Sequence, residues 1–184
     1  MSEIRVYVAC LGCYNDGRLK GKWWDATTVG DEEEACEDAQ AAHDYLTGCS
    51  YNHPFYGVHE EWAIHDHEGF EGIGPGEYDR LADVQDTALM LAAYSGAWAA
   101  WVRHVDKDRA TEDAFLEAFL GEWTSLAAYA EESYRDCGMM PTGPEYEWLD
   151  SHIDWKSVAS ELEMDCSVWT ADAPDGCIYV FANL

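Results

Sequence analysis

Ile4, Val6 and Val8 alternate with Arg5, Tyr7 and Ala9 at the start of the chain. That period of two predicts a strand with one buried face. Turn residues follow at 14–17 (YNDG), and residues 22–27 (KWWDAT) predict a second strand. In residues 31–46 (DEEEACEDAQAAHDYL) the acids crowd the first turn, where the positive end of a helix dipole favours them. Ala35, Ala39, Ala42 and Leu46 then recur at helical spacing, so one helix is predicted there. Residues 61–66 predict a third strand with Trp62 and Ile64 facing inward. Together these elements predict a first α+β unit over residues 1–69.

Residues 72–76 (GIGPG) predict a linker or tight turn. Beyond it, 78–94 places Leu81, Val84, Ala88, Leu91 and Ala92 on one side of a helix. Ser95-Gly96 interrupts that helix, and 97–105 (AWAAWVRHV) resumes it. This predicts an all-helical middle unit over 70–109, bounded by the polar stretch 106–109. In the last unit, 110–184, Thr111 predicts a helix cap. Residues 114–134 read as helical on both sides of Gly121, with Thr124 or Ser125 capping the second half and Cys137-Gly138 ending it. A loop over 139–144, a helix over 154–162 and two strands at 167–171 and 177–183, joined by a turn, complete the chain. The expected fold class is α+β: three small units with short antiparallel sheets. The stripe of Phe115, Phe119, Trp123, Tyr129 and Tyr134 reads as core, or in part as a surface for self-association.

Composition changes this picture in one respect. The chain has 184 residues, is 48% hydrophobic and holds nine tryptophans, ample for a buried core and unlike a disordered acidic tail. Its formal net charge is nevertheless −27. Residues 23–79 contain fifteen Asp or Glu and no Lys or Arg, and residues 110–184 contain sixteen acids against Arg135 and Lys156. Any one acidic run is ordinarily a solvated helix face. Soluble surfaces, however, usually intersperse both signs, and here the neutralising lysines are missing along most of the chain. Nucleic acid and anionic membranes would repel such a protein, so no direct nucleic-acid or membrane binding is expected; basic surfaces would attract it. Duplex DNA carries one charge per roughly 1.7 Å of axis, so twenty-seven charges match about 45 Å of duplex.

Candidate chemistry is sparse. His65 and His67 lie two apart on a predicted strand and, with Asp66 or Glu68, suggest metal ligation, but no comparable pair accompanies them. Cys10 and Cys13 form a C-x-x-C that would need two further zinc ligands, with Cys36, His43 or Cys49 as sources if the fold brings them near. The alternative is that they are core cysteines at a strand end. A thioredoxin-type use is disfavoured because a turn, not a helix, is predicted to follow. Acid pairs are unavoidable among 37 acids and carry little weight toward a hydrolase. There is no P-loop, G-x-S-x-G or G-x-G-x-x-G pattern, and no catalytic residue, cofactor or metal is expected. The apolar run 4–11 is too short for a signal peptide, and no run approaches the roughly 20 residues of a membrane span. The expectation is a cytoplasmic protein with reduced thiols.

Four segments carry a resemblance to a known family: IRVYVACLGCYNDGRLKGKWWDA at 4–26, EEWAIHDHEGF at 60–70, AFLEAFLGEWTSLAAYAEE at 114–132, and HIDWKSVASELEMD at 152–165 followed by IYVFANL at 178–184. In combination they resemble the ArdA family of antirestriction proteins along nearly the whole chain. The resemblance implies an acidic DNA mimic that is not an enzyme, built of three small domains in an elongated row and paired as a homodimer. It implies a partner, the methyltransferase core of a type I restriction-modification enzyme, whose DNA-binding channel the mimic occupies to spare incoming plasmid, transposon or phage DNA. On that reading, acids standing in for phosphates are Asp31, Glu32, Glu33, Glu34, Glu37, Asp44, Glu60, Glu61, Asp66, Glu68, Glu71, Glu77, Asp83, Glu112 and Glu117. The family's antirestriction motif falls at about 119–132, with a dimer contact through Trp123, Leu126, Ala127, Ala130 and Tyr134. The Cys10/Cys13 pair and the extended loop at 139–148 are not features associated with the family. Two alternatives remain open: an acidic inhibitor or scaffold for another basic DNA-binding protein, and a metal-dependent hydrolase.

Overall fold

A computed structural model of the chain describes residues 3–53, 57–106, 109–140, 143, 147–150 and 152–183. Much of the expected loop at 139–148 and two residues of the polar stretch at 106–109 therefore lie outside the described residues. The chain forms two compact units, Met1–Ala99 and Ala100–Leu184; the α+β class and the short antiparallel sheets are those the sequence predicts.

The first unit is built on a three-stranded sheet. Strand β1 (Arg5–Cys10) lies between β2 (Gly21–Asp25) and β5 (Trp62–Glu68), antiparallel to both. Val6 and Val8 are fully buried, as their alternation demands. The register between β1 and β5 passes from Tyr7 opposite Asp66 to Val8 opposite Ile64, so His65 is the unpaired residue of a bulge. Helix α1 (Leu11–Asn15) follows β1 directly and takes in the first half of the turn expected at 14–17; Asp16 and Gly17, the latter at φ +74°, keep the turn role.

The single acidic helix expected over 31–46 is two: α2 (Val29–Glu34) and α3 (Ala39–Thr47). The break has a local cause. Asp38 adopts an extended backbone and its carboxylate accepts the Ala41 amide at 2.8 Å, capping α3 instead of continuing α2. The second and third amides of α2, at Gly30 and Asp31, both donate to the side-chain oxygen of Gln85, at 2.7 and 3.0 Å. Gln85 belongs to α4 (Leu81–Val105), which carries the expected interruption: Ser95 has φ 48° and ψ −129°. A small hairpin, β3 (Asn52–His53) with β4 (Gly57–Val58), went unforeseen.

The second unit holds β6 (Phe119–Trp123), β7 (Val168–Asp172) and β8 (Ile178–Ala182), in the order β6-β8-β7. The β7–β8 hairpin is the one the sequence predicts. Strand β6 corrects the helix expected on both sides of Gly121: α5 (Glu112–Ala118) stops at Phe119 and α6 (Leu126–Asp136) begins after the Ser125 cap. Gly121 sits at φ +108° where the β6–β8 register shifts, a conformation only glycine adopts freely. Thr111 and Ser125 accept the Ala114 and Ala128 amides as expected of caps. Asp154 caps α8 (Trp155–Met164), and the Ser157 amide and hydroxyl, with the Lys156 amide, hold its carboxyl below the usual range. A further short helix, α7 (Glu147–Asp150), precedes it. The core is aromatic: Phe115 and Phe181 are fully buried, with Phe119, Trp101 and Trp169 stacked around them.

Candidate functional site: an acidic surface and a cysteine–histidine cluster

Twelve of the fifteen named acids are exposed; Glu32, Glu33 and Asp44 are half-buried. Those of 31–44 ride on and beside α2 and α3, and those of 60–71 lie along and around β5. Glu112 and Glu117 lie on α5, in the second unit. Some are engaged within the chain. Glu32 accepts the Tyr45 hydroxyl at 2.8 Å and so pushes that phenol above its ordinary range. Asp44 accepts from Gln40 at 2.8 Å and faces His43 Nδ1 at 3.0 Å. Burial, with help from the Glu34 charge, raises the Glu33 carboxyl.

At least five of the ten Lys and Arg are engaged within the chain. Arg5 pairs with Glu68, Arg18 with Asp16, Arg80 with Asp83 through two hydrogen bonds, and Arg135 with Glu131. Lys22 donates to the Tyr45 carbonyl at 2.6 Å and lies over the Trp24 and Tyr45 rings. Much of the positive charge is thus held in local pairs, while most of the named acids face water.

Of the residues expected at a dimer contact, Trp123, Leu126, Ala127 and Tyr134 are half-exposed and Ala130 is fully buried in its own unit. Trp123 donates from Nε1 to the Leu120 carbonyl at 2.9 Å and meets Tyr129 edge-on at 5.5 Å. The aromatic stripe divides accordingly: Phe115 and Phe119 join the core, while Trp123, Tyr129 and Tyr134 lie at its margin.

His65 and His67 do not converge on a ligand set: His65 packs edge-on against Tyr14 at 4.7 Å, and His67 against Phe70 at 5.5 Å. Among the described residues a single cluster has ligand character. Cys10, Cys13, Cys49 and His59 are all buried, with ligand atoms within 4.8 Å of one another. Cys49 was one of the candidates named from sequence; Cys36 and His43 lie elsewhere, and His59 was missed. Cys10 ends β1 and caps α1, its sulfur accepting the Cys13 amide at 3.4 Å. Cys49 follows the left-handed Gly48 that closes α3. His59 precedes β5, its carbonyl held by Gln40 Nε2 at 2.9 Å. Without a cation the site favours neutral sulfur: burial pushes the Cys13 thiol up to about 12 and raises Cys10 as well.

The fold and its acidic surface define a small α+β protein whose outward feature is charge, with no converging set of acids among the described residues. The family model described as "Antirestriction protein (ArdA)" matches residues 6–174, and the chain belongs to that family. A comparison with curated proteins finds no match. Among the described residues, no helix is long and apolar enough to cross a membrane.

Proposed function

We propose that this antirestriction protein is a DNA mimic that inhibits type I restriction-modification enzymes by occupying the DNA-binding channel of their methyltransferase core. Family membership supports the antirestriction role. The observation that carries the mimicry is the unrelieved acidity of residues 23–79, fifteen acids without one Lys or Arg. A channel built for phosphates presents cations at intervals, and exposed carboxylates on a folded surface satisfy them without offering a scissile or methylatable base. The protein acts without catalysis, in the cytoplasm of a bacterial host, and carries its acidic charge on both compact units.

The test is competition between this protein and labelled duplex DNA for a purified type I methyltransferase core. Displacement of the DNA at near-stoichiometric protein is the expected result. Failure to displace it, with tight binding to some other basic DNA-binding protein, would replace the target and keep the electrostatics.

The same reading makes the protein a homodimer joined through the exposed margin of β6 and α6. Ala127 is half-exposed on α6, and a carboxylate there would meet its own copy across a two-fold axis. Ala127→Glu is expected to convert dimers to monomers in light scattering at micromolar concentration, leaving the circular dichroism spectrum unchanged. A monomeric parent protein at that concentration would remove the dimer.

A further inference from the structure

We propose that Cys10, Cys13, Cys49 and His59 bind one zinc ion that holds the first unit together. This goes beyond the antirestriction reading and does not depend on it.

Geometry carries the proposal. Zinc bonds to sulfur at about 2.3 Å and to imidazole nitrogen at about 2.0–2.1 Å, so a regular tetrahedron spaces sulfurs about 3.8 Å apart and sulfur from nitrogen about 3.5 Å. Here Cys13 and Cys49 sulfurs are 3.4 Å apart, and His59 Nδ1 lies 3.2, 3.5 and 3.9 Å from the sulfurs of Cys10, Cys13 and Cys49. Four ligand atoms from three separate stretches of chain thus meet around one point. A disulfide accounts for less: the Cys13–Cys49 separation is far beyond the bonded 2.05 Å, and such a bond leaves Cys10 and His59 aimed at the same point without a reason.

The surroundings are those of a ligand shell. Metal-bound imidazole generally presents its second nitrogen to a carboxylate, which fixes the ring; His59 Nε2 faces Asp16 at 4.0 Å, and Asp16 is itself held by Arg18 at 2.9 Å. The guanidinium of Arg18 lies 4.0 Å over the Tyr51 ring, which meets His59 edge-on at 5.4 Å. Gly12, between the two cysteines, is required: a Cβ there would lie 2.5 Å from the His59 ring. The turn Cys10-Leu-Gly-Cys13 is shaped to admit an imidazole above it, with the Cys13 amide donating to the Cys10 sulfur, as amides do toward metal-bound thiolates. Three cysteines and one histidine, all buried and converging on one point, suit zinc, and a closed four-ligand set leaves no position for water or substrate, so the role is structural. On binding, the thiols release their protons to solvent and the sulfurs take the metal. The ion ties the end of β1 to the end of α3 and the entry to β5, which anchors Glu60 and Glu61 at the surface beside it.

The experiment is metal analysis of the full-length protein, purified under reducing conditions from cells supplied with zinc, together with cobalt substitution. About one zinc per chain is expected, as are the visible bands of tetrahedral cobalt with sulfur-to-cobalt charge transfer in the near ultraviolet. His59→Ala and Cys49→Ser are expected to lower metal content at least tenfold, whereas Cys36→Ser, outside the cluster, retains it. Because the spectra of the parent protein decide the matter, misfolding of a variant does not obscure it. A zinc-free protein that neither takes up cobalt nor gains thermal stability from added zinc overturns the proposal, as does a Cys13–Cys49 disulfide found by mass spectrometry after the thiols are blocked.

Discussion

Converting Glu34, Glu37, Glu60, Glu61, Asp66 and Glu71 together to their amides is expected to weaken inhibition roughly a hundredfold. All six are exposed on the first unit. Exposed charge pairs contribute a factor of about 1.5 to 5 each, and factors of that size multiply across sites that do not touch. One substitution, such as Glu61→Gln, is therefore expected to cost a few-fold at most. Amides keep the acceptor oxygens, including the one on Asp66 that takes the His67 amide at 2.8 Å, so the fold is not at risk. Removing six charges from a total of −27 also relieves self-repulsion, and the melting temperature should hold or rise. That opposition is the useful readout: a structural role for these acids would lower stability and inhibition together. A single amide that abolished inhibition in a folded protein would point to one specific contact and defeat the distributed-charge reading.

Phe181→Ala is expected to cost about 3–5 kcal/mol, the range for a buried phenylalanine replaced by alanine. Phe181 is fully buried on the central strand β8, stacked on Trp169 at 4.2 Å and packed near Phe119 at 5.4 Å and Trp101 at 5.8 Å. Removing it leaves a cavity among rings that are themselves anchored and collapse poorly. A domain of fewer than a hundred residues commonly has about 5–15 kcal/mol in total, and each kcal/mol moves its melting point by about 4–8 °C. The near-ultraviolet circular dichroism of the second unit, rich in tryptophan, should lose its transition or shift it downward by more than 10 °C. A shift of only a few degrees would mean that the ring stack is not the core of this unit.

What was legible in the sequence was local. The β1 alternation, the β7–β8 hairpin, the caps at Thr111 and Ser125 and the interruption at Ser95 each announce themselves within a few residues. Strand β6 does not. Phe119-Leu-Gly-Glu-Trp123 fits a helical stripe as well as a strand, and the partner that decides, β8, lies far along the chain. The division of α2 from α3 was hidden because Asp38, the capping residue, looks like any other acid in an acidic run. The acids themselves were legible as charge, since exposure follows from ionisation. His59 was not: it stands well past Cys49, beyond any compact ligand spacing, and only the hairpin of β3 and β4 between them lets the chain return to the Cys10–Cys13 turn. Cys36 and His43, both nearer in sequence to Cys13, face other neighbours.

The strand order β6-β8-β7 has a consequence for synthesis on the ribosome. The middle strand of that sheet is the last of the three to be made, so neither edge strand has its central partner until residues 178–182 have left the exit tunnel. The first unit differs: its three-stranded sheet is fully translated by Glu68. Nascent chains therefore pass through a stage in which the first half can close while Phe115, Trp101 and Trp169 still lack the strand that covers them. Non-local pairing of this kind is slow and leaves apolar surface exposed in the interim, which makes the second half the natural client of chaperones whenever the protein is produced in a burst.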